Sequence, residues 1–201
     1  MIRINLKYCA FTIILFFIFH VQHISATEFS NHTFLIAEGN STSLNSNRFW
    51  QFLKTNDNVG IEIKISEADK RVTLSSTNQD IIEFLSRVQK VTENVESKIV
   101  PLFITFNGDI SILDSIISSS NLASKIFFLP QGETWPSLEY LIQSNRRIIL
   151  FVKGNYINES RILHRLDNYV LKISANKIMA TSDIFEIESA VNNELFLIDE
   201  F

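Results

Sequence analysis

The chain has 201 residues, a formal net charge of −4, one cysteine and 46% hydrophobic residues. One thiolate is too few for a disulfide scaffold, a thiol redox pair or a cysteine zinc cage. A sequence pI of about 5.6 lacks the basic face of a nucleic-acid footprint, so no nucleic-acid partner is expected. The apolar fraction and the length fit one folded domain with a core.

Residues 1–26 read as a secretory leader. Arg3 and Lys7 form a positive start, Tyr8 to Phe19 is an uninterrupted apolar run, and Ser25-Ala26 supplies small residues for cleavage. The run falls in the roughly 7–15 residues of a leader's apolar stretch and is short of the ~20 of a membrane helix. An uncleaved N-terminal anchor is the other reading. Cleavage after Ala26 removes Cys9, His20 and His23, so the mature chain keeps no thiol and only His32 and His164 as imidazoles. The expected location is secreted or extracytoplasmic. Asn31-His-Thr33, Asn40-Ser-Thr42 and Asn158-Glu-Ser160 match the N-glycosylation acceptor pattern, which matters only in a host that glycosylates secreted proteins.

The remainder alternates apolar runs with amphipathic stretches. Thr33 to Ala37 reads as a strand, and Leu44 to Leu53 carries an irregular helical stripe. Val59 to Ile65 alternates apolar and polar with period two, a strand signal. Glu67 to Lys70 is a polar turn and Arg71 to Leu74 a further strand. Asn78 reads as the cap of a helix with Ile81, Ile82, Phe84, Leu85 and Val88 on one face. Ile99 to Phe106 is a buried strand, Asn107-Gly-Asp109 a turn, and Ile110 to Ile117 a helix. Lys125 to Leu129 is a strand stopped by Pro130, and Pro136 opens a helix through Leu138, Leu141 and Ile142. Arg147 to Val152 is a strand, Glu159 to Leu166 a helix, Tyr169 to Ile173 a strand, Ile184 to Val191 a helix, and Leu195 to Ile198 a closing strand. Nearly continuous apolar strands separated by helices predict an α/β fold on a parallel sheet buried on both faces. Neither a Gly-rich dinucleotide fingerprint nor a phosphate-loop motif is present.

Four stretches, in this order, resemble the phosphatidylinositol-specific phospholipase C X-domain group of the PLC-like phosphodiesterases. Phe34-Leu-Ile-Ala-Glu-Gly-Asn-Ser41 resembles the strand leading into the family's Thr-His-Asn-Ser motif. Gly60-Ile-Glu-Ile-Lys64 resembles the second strand with its Glu-x-Asp motif, a region also similar to glycerophosphodiester phosphodiesterases. Trp135-Pro-Ser-Leu138 followed by Asn145 to Val152 resembles the Trp-Pro-Thr-Leu helix and its following strand. Leu195 to Phe201 resembles a late strand ending in Asn-His-Phe. The resemblance implies a TIM-barrel-like (β/α) fold over residues 27–201. About seven parallel strands are expected, beginning at residues 33, 59, 99, 125, 147, 169 and 195. That is one strand–helix unit short of a full barrel, so an incomplete or compressed barrel is expected.

It also implies an active site at the C-terminal ends of the strands, where two histidines act on a phosphodiester and carboxylates or basic residues orient them or bind a metal. At those positions this sequence differs. Asn40 and Ser41 match, but Gly39 occupies the first histidine position. Glu62 matches, but Lys64 replaces the aspartate. Ser75-Ser76 stands where the second histidine is expected.

The expected pocket therefore comprises Glu38, Asn40, Glu62, Lys64, Asp109 and Lys153, with Glu133, Asp199 and Glu200 at other strand ends. Glu62 and Asp109 are the expected metal ligands, and calcium or magnesium the cation such carboxylates would take. Polar strand ends meeting solvent account for the same residues, and a salt bridge with Lys64 or Lys153 accounts for Glu62. Trp135 reads as packing and His164, with Arg161 and Arg165, as a solvated helix face. The expected ligand is a phospholipid head group or another phosphodiester. The favoured function is a catalytically impaired homologue or binding module. An active metal-dependent phosphoric diester hydrolase and a non-functional fragment of a larger enzyme are the alternatives.

Overall fold

A computed structural model describes residues 33–130, 133–154, 160–174 and 195–199. The leader and the 184–191 helix expectation lie outside them. Seven parallel strands form one sheet: β1 (Thr33–Glu38), β2 (Val59–Ala68), β4 (Val100–Phe106), β5 (Ile126–Phe127), β6 (Ile148–Lys153), β8 (Val170–Ser174) and β9 (Leu195–Asp199). Their order across the sheet is β5-β6-β4-β2-β1-β9-β8. The strand β3 (Arg71–Leu74) folds back antiparallel on β2, and the two-residue β7 (His164–Arg165) lies off this path as a further short parallel strand on β6. Among the described residues the sheet does not close, as the seven-strand reading expects.

Two apolar clusters occupy its two faces. On the outer face Ile61, Ile63, Ile65, Leu102, Ile104, Leu150 and Val152 pack with Trp50 and Leu53 of α2 (Asn47–Thr55), Phe84, Leu85 and Val88 of α3 (Ile81–Glu93), and Leu113 and Ile117 of α4 (Ile110–Ser118). The opposite face gathers Phe34, Ile36, Phe103, Ile149 and Phe151 with Trp135 and Leu141, the last from α5 (Leu138–Gln143). Period-two alternation divides each strand between these faces. Glu62 and Lys64 therefore lie opposite Ile61 and Ile63. Gly60 permits this inner packing: a Cβ there would lie 2.4 Å from Cε2 of Phe103.

Local capping moves several helix starts from their expected places. Asp80, not Asn78, caps α3, its Oδ1 accepting from the Ile82 N–H at 2.8 Å. Asn78 instead adopts a left-handed turn with φ 56°, which asparagine tolerates well. Ser137 caps α5, leaving Pro136 outside it. The expected 159–166 helix is replaced, over its described part, by β7 and the short α6 (Leu166–Tyr169). The Ser160 hydroxyl accepts from the N–H groups of Ile162 and Leu163 and folds that segment into a turn.

Candidate functional site

The C-terminal end of β1 and the middle of β2 frame a cavity of about 320 Å³ lined by Glu38, Gly39, Asn40, Glu62, Ile63, Lys64, Ser75 and Ser76. Backbone register builds it. Glu38 and Glu62 are direct partners across β1 and β2, which puts both carboxylates on the inner face of neighbouring strands. The Gly39 N–H donates to the Glu62 carbonyl at 2.7 Å. Past β3 the chain still runs beside the middle of β2, where the Ser75 N–H donates to the Lys64 carbonyl at 2.9 Å, and the Ser76 hydroxyl donates to the Gly39 carbonyl at 3.3 Å. Asn40 caps α1 (Ser41–Asn45) by accepting from the Ser43 N–H at 2.9 Å, and the Ser43 hydroxyl donates to the Glu38 carbonyl at 2.6 Å.

Of the expected site residues, Glu38, Asn40, Glu62 and Lys64 come together in this cavity, joined by Ser75 and Ser76; Asp109 and Lys153 do not line it. Asp109 caps α4, accepting from the Ser111 hydroxyl at 2.8 Å and the Ser111 N–H at 2.9 Å. Those two bonds, the hydroxyl first, hold its carboxyl below the ordinary value. Lys153 ends β6 and is exposed. It shares a register row with Lys64, since Thr105 of β4 partners both. Glu133 is exposed, and of Asp199 the structure gives the backbone pairing with Ile36 and Ser174.

Asp109, the second expected metal ligand, does not line the cavity with Glu62. Among the described residues no group of three or more His, Cys, Asp or Glu is arranged to hold a metal ion. Two carboxylates beside an ammonium in the cavity are a poor match to a calcium site, which takes six to eight oxygen ligands, or to an octahedral magnesium site.

His164 corrects another expectation. It is buried, at 1% exposure, rather than on a solvated helix face. Its Nε2 accepts from the Leu129 N–H at 2.8 Å, so Nδ1 carries the proton and donates to the Leu150 carbonyl at 3.2 Å. The rings of Phe128, Trp135, Phe151 and Tyr169 surround it. Burial pushes its pKa down to about 4. This imidazole is neutral and committed to backbone bonds, and it does not line the cavity. Sequence reasoning missed it because no local pattern reports the meeting of β7 with the end of β5. Trp135 packs in the inner cluster as expected.

The family model of the PI-PLC X domain matches residues 43–180. The chain therefore belongs to the PI-PLC X family. Glu62, Lys64, Ser75, Ser76 and Lys153 fall inside the match; Gly39 and Asn40 precede it. No curated protein matches the chain in sequence. The fold is similar to the phosphatidylinositol-specific phospholipase C of Listeria monocytogenes, with 12% identity over 88% of this chain and 75% of that one, at a TM-score of 0.54. It is similar also to an N254Y/H258Y double mutant of the corresponding Staphylococcus aureus enzyme, with 9% identity over 87% of this chain and 73% of that one, at a TM-score of 0.53. At such identities the likeness is one of fold. Among the described residues no helix is long and apolar enough to cross a membrane.

Proposed function

We propose that this PI-PLC X family protein is a secreted, non-catalytic binder of polyol phosphate head groups, held in the cavity between the end of β1 and the middle of β2. The carrying observation is the lining itself: carboxylates Glu38 and Glu62, the ammonium of Lys64, and the hydroxyls of Ser75 and Ser76, with no imidazole among the described lining residues. Lys64 attracts the phosphate as a compact positive charge, and the carboxylates accept hydrogen bonds from ring hydroxyls. Phosphodiester cleavage by the family's route needs a base for the attacking hydroxyl and an acid for the leaving group, each exchanging protons near neutral pH. Serine hydroxyls do neither unaided. Residues 1–26 serve as the secretory leader and residues 27–201 as the binding domain.

The test is calorimetric titration of the purified mature protein with inositol 1-phosphate, alongside release of inositol phosphate from phosphatidylinositol vesicles. Saturable binding without turnover supports the reading. Turnover that depends on calcium or magnesium and is lost in Glu62→Gln would establish the metal-dependent hydrolase instead. N-terminal sequencing of the secreted product is expected to begin at Thr27.

A further inference from the structure

We propose that Asn40 is an N-glycan acceptor whose glycan bars the cavity from a bilayer while leaving it open to a soluble head group. The inference rests on the secretory and head-group reading above. Of the three sequons, Asn40-Ser-Thr42 is the one whose acceptor lies among the described residues. Asn40 is exposed and lines the cavity at its rim. Its Oδ1 alone serves the α1 cap, accepting from Ser43. N-linkage modifies Nδ2 and leaves Oδ1 an acceptor, so a glycosylated Asn40 keeps its capping bond and the local fold. Thr42 is exposed as well and lies in α1.

The transfer takes a lipid-pyrophosphate-linked oligosaccharide as co-reactant. The bond from sugar C1 to the pyrophosphate oxygen breaks, the bond from C1 to Nδ2 forms, a proton leaves Nδ2, and the lipid pyrophosphate departs. The consequence is steric. A bulky, hydrated oligosaccharide rooted on the rim of a cavity of about 320 Å³ stands between that mouth and any lipid surface. A head group free in solution can still enter beside it, whereas a head group anchored in a bilayer requires the rim to approach the membrane.

Thr42→Ala removes the sequon without touching a cavity residue. The full chain is produced in a glycosylating secretory host, and the peptide spanning Asn40 is read by mass spectrometry after an amide-cleaving glycosidase. Asn40 is expected to be recovered as aspartate in the wild type and as asparagine in Thr42→Ala. Recovery as asparagine in both overturns the assignment. The same two proteins are then compared on phosphatidylinositol vesicles and on inositol 1-phosphate. Thr42→Ala is expected to bind vesicles about tenfold more tightly, with inositol 1-phosphate affinity unchanged. Equal vesicle binding overturns the gating. If neither protein takes up inositol 1-phosphate, the head-group reading fails and the gating with it, while the acceptor assignment still stands or falls on the mass readout.

Discussion

The Ser76 hydroxyl donates to the Gly39 carbonyl at 3.3 Å, so the two places where the family resemblance puts its histidines are in direct contact. Gly39 is also closed to any side chain. A Cβ there would lie 2.6 Å from Cγ2 of Ile63 and 3.0 Å from the Glu62 carbonyl oxygen, on the outer-core side of the strand. Gly39→His is therefore expected to displace Ile63 and cost about 1–3 kcal/mol, without placing an imidazole in the cavity. Urea unfolding midpoints measure the loss, and vesicle hydrolysis by Gly39→His combined with Ser76→His is expected to stay at background.

Lys64 carries the cationic part of the cavity, while Lys153 stands in the same register row outside it. Lys64→Gln is expected to weaken inositol 1-phosphate binding about tenfold, in the range of a lost charge-assisted bond. Lys153→Gln is expected to change it much less. Titration calorimetry of both variants at equal ionic strength separates the two, and equal losses would extend the binding site across Thr105.

His164 makes stability depend on acidity. Its folded pKa is pushed down from 6.5 to about 4 by burial, so between those values the unfolded chain binds the extra proton. Stability is then fully present above pH 6.5 and declines as pH falls toward 4, by about 3 kcal/mol on the linkage relation. His164→Asn is expected to be less stable at neutral pH and to show a flatter pH dependence, read from urea midpoints across that window.

Lys98 ties the loop before β2 to the strand entry at β4. It is fully buried, and its Nζ donates to the carbonyls of Asn56 and Asp57. Lys98→Met leaves those acceptors unsatisfied and is expected to cost about 1–3 kcal/mol. Burial lowers the Lys98 pKa from 10.5 to about 8, opposed by the Asp57 charge. The unfolded chain thus binds more protons between those values. This group's contribution to stability rises as pH increases from 8 to 10.5, and the rise is expected to vanish in the variant.

Much of the fold was legible because continuous apolar runs such as Val100–Phe106 and Ile148–Lys153 report two-sided burial directly. All seven expected parallel strands are present. The alternation of Ile61, Glu62, Ile63 and Lys64 likewise revealed which side chains share the inner face. What stayed hidden depends on contacts distant in sequence or on which of several polar residues wins a cap. Asp80 outcompetes Asn78, Ser137 follows rather than precedes Pro136, and Asp109 caps its helix through Ser111. The burial of His164 depends on Leu129 and Leu150, 35 and 14 residues away, and a lone histidine beside Arg165 carries no local sign of it.

On the proposed reading, the cavity of Glu38, Glu62, Lys64, Ser75 and Ser76 binds head groups without cleaving them. Release of inositol phosphate from phosphatidylinositol vesicles by the purified mature chain, with and without added calcium or magnesium, tests it most directly. No release above the protein-free rate is expected under either condition. Metal-dependent release abolished by Glu62→Gln would contradict it.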